Sequence, residues 1–431
     1  TEIAHENDLL EVVILPIPKS KPDPEDLFKA SDYGRQQANQ SCNPPMNYGW
    51  DFVCRLVPLG IYDETFLEIR PAVHILRTEV SYDLADDFSY ADVRCQCVLS
   101  RSGGGRLRWS MVDECGSRVI AEETAITADT QTITARIVHP HLWWPHDQGE
   151  PVLYRSCLEL LDETGTVIGE HQSRVGFRRM RLVPNEGTYP KEFRTPSTQG
   201  RPPITVEING RRIFCKGSNW VAPEIFPGLI TAERYRTLLH SAQSINLNLL
   251  RLWGGSMIGK ESFYDICDEL GIMLWQEFPL SCNRYEGTPG YLKILDQESR
   301  SIITRLRSHA SVVIWCGGNE LFSPWSNMNE QDLPVRLLNR NCFDLDPQRP
   351  FLPTSPIMGI GHGDYLFRED MHGREVFQIL RDSDCSAYVE FGVQDASDVD
   401  HLKTFIPESE LFPPRHGTAW QYHHGIASWG A

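Results

Sequence analysis

One short stretch limits the possible fold more than any other: an apolar run that ends in a carboxylate. Residues 312–315 read Val-Val-Ile-Trp, and a cysteine, two glycines, Asn319 and Glu320 follow directly. A short apolar run rich in β-branched residues is typical of a strand buried in a parallel sheet. Parallel α/β folds hold their chemistry at the carboxyl ends of such strands. Taken alone, Glu320 is still more simply interpreted as a turn residue exposed to solvent.

A second glutamate stands in a similar position and makes a catalytic role for Glu320 the better interpretation. Glu390 follows the apolar residues 387–389, 70 residues after Glu320. Two carboxylates that each close a short strand indicate an acid and a base that act as a pair. Glu320 and Glu390 are therefore the candidate catalytic residues.

The region around the two glutamates alternates predicted strands with predicted helices. After a hairpin turn at Asn209 and Gly210, strands are predicted at 213–216, 247–252, 272–275 and 312–315. The helices between them are predicted at 231–245, 261–270 and 291–309. Thr231 is an N-cap and Gly271 a stop signal. This alternation predicts a parallel sheet, and the number of strands favours a (β/α)8 barrel over a doubly wound sheet.

Upstream of this region, apolar and polar residues alternate with a period of two. The pattern is found between turn signals at 65–69, 92–99, 132–137 and 155–160. It predicts a β-sandwich. A further strand is predicted at 9–15, and residues 188–203, rich in Pro, Thr, Gly and Arg, are predicted to be a linker or long loop.

Charge and composition exclude several classes of partner. The formal net charge is −17, and the acidic residues are spread along the chain, which argues against nucleic acid and against an anionic membrane. No apolar run approaches the roughly 20 residues that span a bilayer, and no signal-peptide pattern stands at Thr1. None of the 12 cysteines forms a Cys-x-x-Cys pair. This argues against a metal cluster and favours mostly reduced thiols, with a disulfide or two left open.

Polar and aromatic side chains recur where the predicted parallel strands end. They are Asn219, Trp220, Arg251, Trp253, Gln276, Glu277, Asn319, Glu320 and Glu390. In a barrel they would converge on one edge. Carboxylates, amides and tryptophans together suit a sugar, which needs hydrogen bonds at its edges and an aromatic ring under its C–H face. Each has a plainer interpretation: the tryptophans as core residues, and Arg251 as the counter-charge of a buried carboxylate.

Further motifs occur in a fixed order along nearly the whole chain. They are Tyr-Gly-Trp-Asp-Phe at 48–52, Arg-Leu-Val-Pro-Leu-Gly-Ile at 55–61, Leu-Trp-Trp-Pro at 142–145, Val-Gly-Phe-Arg at 175–178, Lys-Gly-Ser-Asn-Trp at 216–220, Arg-Leu-Trp-Gly-Gly at 251–255, Leu-Trp-Gln-Glu at 274–277, Trp-Cys-Gly-Gly-Asn-Glu at 315–320 and Glu-Phe-Gly-Val-Gln at 390–394. In this order the sequence resembles glycoside hydrolase family 2, and within it most of all the β-mannosidases.

The resemblance implies three domains. Residues 1–60 would be the C-terminal part of a jelly-roll sugar-binding domain, 61–183 an immunoglobulin-like β-sandwich, and 184–431 a TIM-barrel catalytic domain. The chain stops 41 residues after Glu390, so the barrel is expected to lack its last strand and helix. Other segments or chains of the same protein would then complete it.

The resemblance also implies a reaction. Glu320 would be the general acid/base and Glu390 the nucleophile of a retaining hydrolase that acts on a glycoside, with no metal or organic cofactor. Asn319 would hold the sugar 2-hydroxyl. Further substrate-binding residues would be Arg251, Trp253, Asn219, Trp220 and Glu277.

Two departures from the usual β-mannosidase pattern concern the sugar site. Glu277 stands where Asp is usual, and Phe52 stands where a second tryptophan is usual. The substrate therefore stays open between a β-mannoside, cleaved in exo or endo fashion, and another β-glycoside such as a glucosaminide, galactoside or glucuronide. A carbohydrate-binding relative without catalysis is a third reading, against which the presence of both glutamates argues.

Overall fold

A computed structural model of the 431-residue chain describes residues 9–17, 35–50, 52–53, 55–185, 204–363, 365–369, 372–392 and 397–423. The linker predicted at 188–203 and residues 393 and 394 of the last motif lie outside these residues. No helix among the described residues is long and apolar enough to cross a membrane.

Seven antiparallel strands form two sheets that face each other across one hydrophobic core. The strands are β1 Ile75–Leu84, β2 Tyr90–Leu99, β3 Arg106–Val112, β4 Arg118–Ala125, β5 Thr130–Val138, β6 Tyr154–Leu161 and β7 Val167–Val175. One sheet has the order β1-β2-β5 and the other β4-β3-β6-β7. Every second residue of β2 is buried, because successive side chains point to opposite faces of a strand. The buried residues of both sheets belong to one cluster, so the predicted β-sandwich is present.

A small antiparallel sheet follows the sandwich. It consists of β8 Met180–Val183, β9 Thr205–Ile208 and β10 Arg211–Ile213 in the order β10-β9-β8. Asn209 and Gly210 join β9 to β10 with φ values of 51° and 80°. Two consecutive residues with positive φ are typical of the tight hairpin turns that Asn-Gly favours, which confirms the hairpin prediction.

Parallel strands and helices make up the rest of the described chain. The strands are β11 Gly217–Trp220, β12 Leu249–Leu252, β13 Met273–Glu277, β14 Val312–Cys316, β15 Phe351–Leu352, β16 Ile360–His362 and β17 Ala387–Glu390. The helices are α1 Ala232–Ser244, α2 Glu261–Leu270, α3 Pro289–Leu306, α4 Leu333–Leu345, α5 Val376–Asp382, α6 Val399–Leu402, α7 Glu408–Leu411 and α8 Trp420–His423. Strands β11 to β15 pair in chain order, and β16 pairs with β17. Helices α1 to α4 each connect two neighbouring strands.

The central strands β12 to β14 of the parallel sheet are buried on both faces, and the two faces pack against different cores. On β14, Val312 and Trp315 belong to the core between the sheet and its helices. Val313 and Cys316 belong to a second core, which also contains residues of the small sheet. A strand buried on both sides is continuously apolar, which explains why 312–315 carries no polar residue.

The sandwich is joined to the parallel sheet by buried polar contacts. Arg178 follows β7, and its Nε and Nη2 donate to the carbonyl oxygens of Ala310 (2.6 Å) and Val312 (2.5 Å). The indole of Trp143 donates to the carbonyl of Asp268 at 2.9 Å. The contacts of Arg178 hold the amino-terminal end of β14, the strand that leads to Glu320, and the contact of Trp143 holds α2.

Three predicted strands are wrong. Residues 9–15 and 65–69 form no strand, and their apolar side chains are largely exposed, with Leu9 88% and Ile69 91% accessible. An apolar or alternating pattern alone does not make a strand, because a strand also needs a neighbour with which its backbone groups can pair. The strand predicted at 213–216 starts later, at Gly217, so Asn219 and Trp220 lie within it and not beyond its end.

Candidate active site

On two parallel strands, β12 and β13, the alternation of side chains between the two faces decides which predicted residues point toward the site. On β13, Met273 and Trp275 lie in the inner core, so Glu277, two residues further, also points inward. On β12, Leu249 is an inner residue, and Arg251 therefore shares its face. The residues between them point outward. Gln276, for example, accepts a hydrogen bond from Tyr264 of α2 at 2.7 Å.

Arg251 is the centre of the site and is only 2% exposed. Its Nε donates to Glu277 (2.8 Å), its Nη1 to Asn219 (2.9 Å) and Glu390 (2.5 Å), and its Nη2 to Asn319 (2.6 Å). The guanidinium thus joins the ends of five strands. Burial disfavours its charge, but the carboxylates of Glu277 and Glu390 outweigh that effect and raise the pKa of Arg251.

Glu277 fixes the position of the Arg251 guanidinium by accepting the hydrogen bond from its Nε. It is 1% exposed, and its other oxygen accepts a hydrogen bond from the backbone N–H of Gly254 at 2.7 Å. Burial raises the pKa of Glu277, and the nearby charge of Arg251 acts in the opposite direction. Both carboxylate oxygens of Glu277 are engaged within the protein.

Glu390 ends β17 and is held in its ionised form. Burial opposes ionisation, but the charge of Arg251, His362 and hydrogen bonds from Arg251 and Tyr365 outweigh it, so the pKa of Glu390 is lowered. The hydroxyl of Tyr365 donates to Oε2 at 2.9 Å. A carboxylate that is ionised and aimed into a cleft can act as a nucleophile.

Glu320 lies in a tight turn after β14. Its φ is 54°, a left-handed conformation that is uncommon for residues other than glycine and costs roughly 1–3 kcal/mol. The turn is fixed by the backbone after β15: Glu320 N–H donates to the carbonyl of Ser355 at 2.6 Å. Gly318 is required in the same turn because a Cβ there would lie 2.4 Å from the carbonyl oxygen of Leu280.

His362, at the end of β16, lies between the two glutamates. Its Nδ1 is 3.0 Å from Oε1 of Glu320 and 3.5 Å from Oε2 of Glu390, and its Nε2 is 2.9 Å from the hydroxyl of Ser355. One oxygen of each glutamate and one ring nitrogen of His362 all lie within 4.8 Å of one another. The two carboxyl groups are therefore close enough to act on the two atoms of one bond.

Aromatic rings form one wall beside this centre. The indole of Trp253 is 4.8 Å from that of Trp50 and 5.7 Å from the ring of Phe52, centroid to centroid. The guanidinium of Arg35 lies over Trp50 at 4.6 Å. The segment around residue 50 is anchored here by a hydrogen bond from Met46 N–H to the carbonyl of Gly255. Trp220 faces away, and its ring packs against Phe263 at 4.9 Å.

The structure adds three residues that the sequence analysis did not select. Tyr365 and His362 lie close to the end of a parallel strand, so the reasoning that selected Arg251 applies to them too, but the short strand β16 was not recognised. Cys282, whose thiol donates to Oε2 of Glu320 at 3.1 Å, stands in a loop and carries no signal in the sequence.

Two groups of side chains among the described residues are spaced closely enough to hold a metal ion. They are Glu320, His362 and Glu390, and Asp265, Asp268 and His309. The first is the centre described above. In the second, His309 contacts Asp268 at 2.7 Å and Asp265 pairs with Arg174 at 2.5 Å. Contacts within the chain already engage both groups, and the prediction that no metal is required stays a prediction.

Comparison with known proteins shows the class of protein to which this chain is similar. Residues 73–178 match the family model described as Glycosyl hydrolases family 2. The predicted resemblance to this family is thereby confirmed, and with it a multidomain fold.

Three similar proteins are named as beta-mannosidases. Beta-mannosidase B of Aspergillus fumigatus is 33% identical over 277 residues, which are 64% of this chain and 31% of that protein. Beta-mannosidase of Rattus norvegicus is 35% identical over 51% of this chain and 25% of that protein. The crystal structure of beta-D-mannosidase from Dictyoglomus thermophilum has a TM-score of 0.74 at 28% identity, and the match covers 85% of this chain and 46% of that one. The chain thus spans from a quarter to about half of the length of these relatives.

Proposed function

We propose that this chain carries the active site of a retaining β-mannosidase. The observation that carries the proposal is the spacing of Glu320 and Glu390, with one oxygen of each within 4.8 Å. Retaining glycosidases hold their carboxyl groups about 5–5.5 Å apart, whereas inverting ones need about 6.5–9.5 Å to admit a water molecule. The similarity to β-mannosidases supports a mannoside as the substrate.

Glu390 acts as the nucleophile in this proposal. Arg251 and Tyr365 hold it ionised, and its oxygen bonds to the anomeric carbon while the glycosidic C–O bond breaks. Glu320 gives its proton to the departing oxygen. In the second step Glu320 takes a proton from water, the water oxygen bonds to the anomeric carbon, and Glu390 leaves as a carboxylate. Two displacements at one carbon retain its configuration.

The remaining predicted residues act on the sugar or on Arg251. Asn319 and Asn219 present amides next to Arg251 and bind sugar hydroxyls, with Asn319 at the 2-hydroxyl. Trp253 provides the surface on which the ring stacks. Glu277 acts through Arg251, because both of its oxygens are engaged. Trp220 contributes through the core and the position of its strand, since its ring packs against Phe263.

We also propose the domain scheme that the resemblance implies. The strand orders β1-β2-β5 and β4-β3-β6-β7 support an immunoglobulin-like sandwich at 61–183. Strands β11 to β17, with helices after most of them and their carboxyl ends around Arg251, support the first seven strands of a (β/α)8 barrel within 184–431. Residues 1–60 are assigned to the end of a jelly-roll domain on the resemblance alone.

The test uses the intact protein that contains this chain and nitrophenyl β-mannoside. Wild type is expected to hydrolyse it, and Glu390→Ala to lose activity by at least about 1,000-fold. Adding azide to the variant should restore turnover and yield an α-configured glycosyl azide, because the small anion occupies the space of the missing nucleophile. Glu122→Ala, a change of an exposed glutamate in the sandwich, should leave the rate unaltered.

A panel of other nitrophenyl β-glycosides tests which sugar the enzyme accepts as substrate. Activity on a glucoside, galactoside or glucuronide but not on the mannoside would contradict the substrate and keep the mechanism. Turnover by Glu390→Ala at the wild-type rate would contradict the mechanism.

A further inference from the structure

The loop after β13 places a thiol against the proposed acid. The Sγ of Cys282 donates to Oε2 of Glu320 at 3.1 Å, while Oε1 faces Nδ1 of His362 at 3.0 Å. Each carboxylate oxygen of Glu320 therefore has one neighbour within the protein. Cys282 is 8% exposed, so water competes little for this contact.

The same sulfur is tied to the residue before Glu320. Asn319 Nδ2 donates to Sγ of Cys282 at 3.3 Å, and the backbone N–H of Cys282 donates to the carbonyl of Asn319 at 3.0 Å. On its other side, Asn319 accepts from Arg251 at 2.6 Å. A continuous chain of hydrogen bonds thus runs from Arg251 through Asn319 and Cys282 to Glu320.

The backbone of Cys282 is held in a costly conformation to make these contacts. Its φ is 47°, in the left-handed region that residues other than glycine avoid. A packing role alone would not require it, because a thiol can fill a core site from an ordinary backbone conformation. Strain of this kind persists where the surrounding contacts impose it, and it occurs frequently at functional sites.

The thiol keeps its proton over the working range of such an enzyme. Burial, followed by the charge of Glu320, raises the pKa of Cys282 to about 12. The group is therefore a hydrogen-bond donor and a poor nucleophile. The other titratable groups around Glu320 and Cys282 include His362, Glu390, Arg35 and, through Asn319, Arg251, and Cys282 is the donor on the Oε2 side of Glu320.

We propose that Cys282 is a positioning residue for the general acid/base: its S–H group orients the carboxyl of Glu320 and stabilises the negative charge that forms there. This inference rests on the proposed function. When Glu320 passes its proton to the leaving oxygen, Oε2 becomes more negative and the S–H hydrogen bond becomes charge-assisted. The thiol transfers no proton, so atoms and charges balance as in the two-step mechanism above.

The expected signature is a dependence on the leaving group. A substrate with a poor leaving group, such as methyl β-mannoside, needs protonation by Glu320, whereas 2,4-dinitrophenyl β-mannoside departs with little assistance. For Cys282→Ala we expect kcat/KM to fall about tenfold on the methyl glycoside, as for the loss of one hydrogen bond to a charged group. It should fall less than about twofold on the dinitrophenyl glycoside. Cys282→Ser keeps a donor and should stay within about threefold of wild type on both.

Two further variants separate positioning from folding. Cys282→Gly also lacks the donor but accepts the left-handed backbone without strain, so it should fold at least as well and show the same leaving-group dependence. Cys342→Ala removes a buried thiol of α4 from the core between the sheet and its helices, and it should alter the rates on both substrates equally or not at all. Thermal unfolding of each variant is measured alongside.

The outcomes are distinct. An equal loss on both substrates in Cys282→Ala and Cys282→Gly, or no loss on either, would overturn the positioning role while the proposed function stands. If Cys282→Ala does not fold, the Gly and Ser pair decides by the same criterion. If wild type hydrolyses neither mannoside, the proposed function itself fails and the inference with it.

Discussion

At the scale of single residues, Arg251 is the group on which the site depends most. Its guanidinium donates to Glu277, Asn219, Glu390 and Asn319 at once, and only a planar group with several fixed donors can do this. An ammonium ion at the same place would keep the charge and lose the geometry.

We therefore expect Arg251→Lys to be poorly tolerated. Acceptors left unpaired in a buried site cost about 1–3 kcal/mol each, so the free energy of unfolding should fall by about 3 kcal/mol and kcat/KM by at least about 100-fold. Urea unfolding and nitrophenyl mannoside kinetics measure both. Arg94→Lys, at a surface pair with Asp83, is the control and should cost less than about 0.5 kcal/mol. A variant with near wild-type activity would show that charge alone suffices.

Tyr365 tests the ionisation of Glu390. In the proposed mechanism the carboxylate must be charged to act as nucleophile, and its pKa is lowered from the ordinary 4.5, so the acidic limb of the kcat/KM profile should lie below about pH 4.5. Tyr365→Phe removes a donor to the charged form, which raises that pKa. The acidic limb of the pH profile should move to higher pH, and kcat/KM at pH 7 should fall roughly fivefold.

The matched control is Tyr388→Phe, which removes a hydroxyl of β17 that contacts Ser383 and not Glu390. Its acidic limb should coincide with that of wild type. An unmoved limb in Tyr365→Phe would argue that the hydroxyl does not bear on the nucleophile.

At the scale of elements, the turn after β12 determines the position of Trp253, whose indole packs against the rings of Trp50 and Phe52. A Cβ on Gly255 would lie 2.1 Å from the indole of Trp253, and that indole is already in contact with Trp50. The indole of Trp253 cannot make room for such a Cβ without moving away from Trp50. The absence of a side chain at 255 is thus what permits Trp253 its position.

Gly255→Ala should therefore displace Trp253. The backbone there has no positive φ, so the effect is steric, and we expect kcat/KM on the mannoside to fall about tenfold, mainly through KM, with a change in tryptophan fluorescence. Gly290→Ala is the control: a Cβ there meets nothing within 4 Å, and in α3 it should stabilise by about 0.5–1 kcal/mol. Unaltered fluorescence in Gly255→Ala would contradict the account.

At the scale of the whole molecule, buried charges join the sandwich to the parallel sheet. His309 lies between Asp268 of α2 (2.7 Å) and Glu261 (3.0 Å), next to Ala310, whose carbonyl receives Arg178. Burial disfavours the imidazolium, but Asp268 and Glu261 outweigh it and raise the pKa of His309 to about 9. The histidine is therefore charged at neutral pH.

This charge gives stability a defined dependence on pH. Because the folded pKa exceeds the ordinary 6.5, the contribution of His309 is complete below about pH 6.5 and is lost as the pH rises through about 9. Wild type should exceed His309→Gln by about 3 kcal/mol at pH 6 and by much less at pH 10, as measured by urea unfolding at both values. His240→Gln, at an exposed site in α1, should show no such trend. A difference that does not vary with pH would contradict a charged His309.

The spacing of apolar residues predicted most of the strands and helices, because the buried positions of an element recur at fixed intervals along the sequence. The alternation at 92–99 is that of β2, and the apolar run at 312–315 is that of β14, since each pattern follows directly from the number of buried faces. The same reasoning failed at 9–15, an apolar run, and at 65–69, an alternating segment, because neither pairs with another strand in the part of the chain that the structure describes. Pairing is a property of two segments, and one segment does not encode it.

The sequence by itself determined the order of elements, the family resemblance and the two glutamates at strand ends, because each is written in neighbouring residues. Only the tertiary structure decided that Arg251 joins five strand ends, that His362 lies between Glu320 and Glu390, and that the thiol of Cys282 contacts Glu320. These contacts connect residues 26 to 139 positions apart. Their geometry depends on how the strands and loops pack together, which no local pattern specifies.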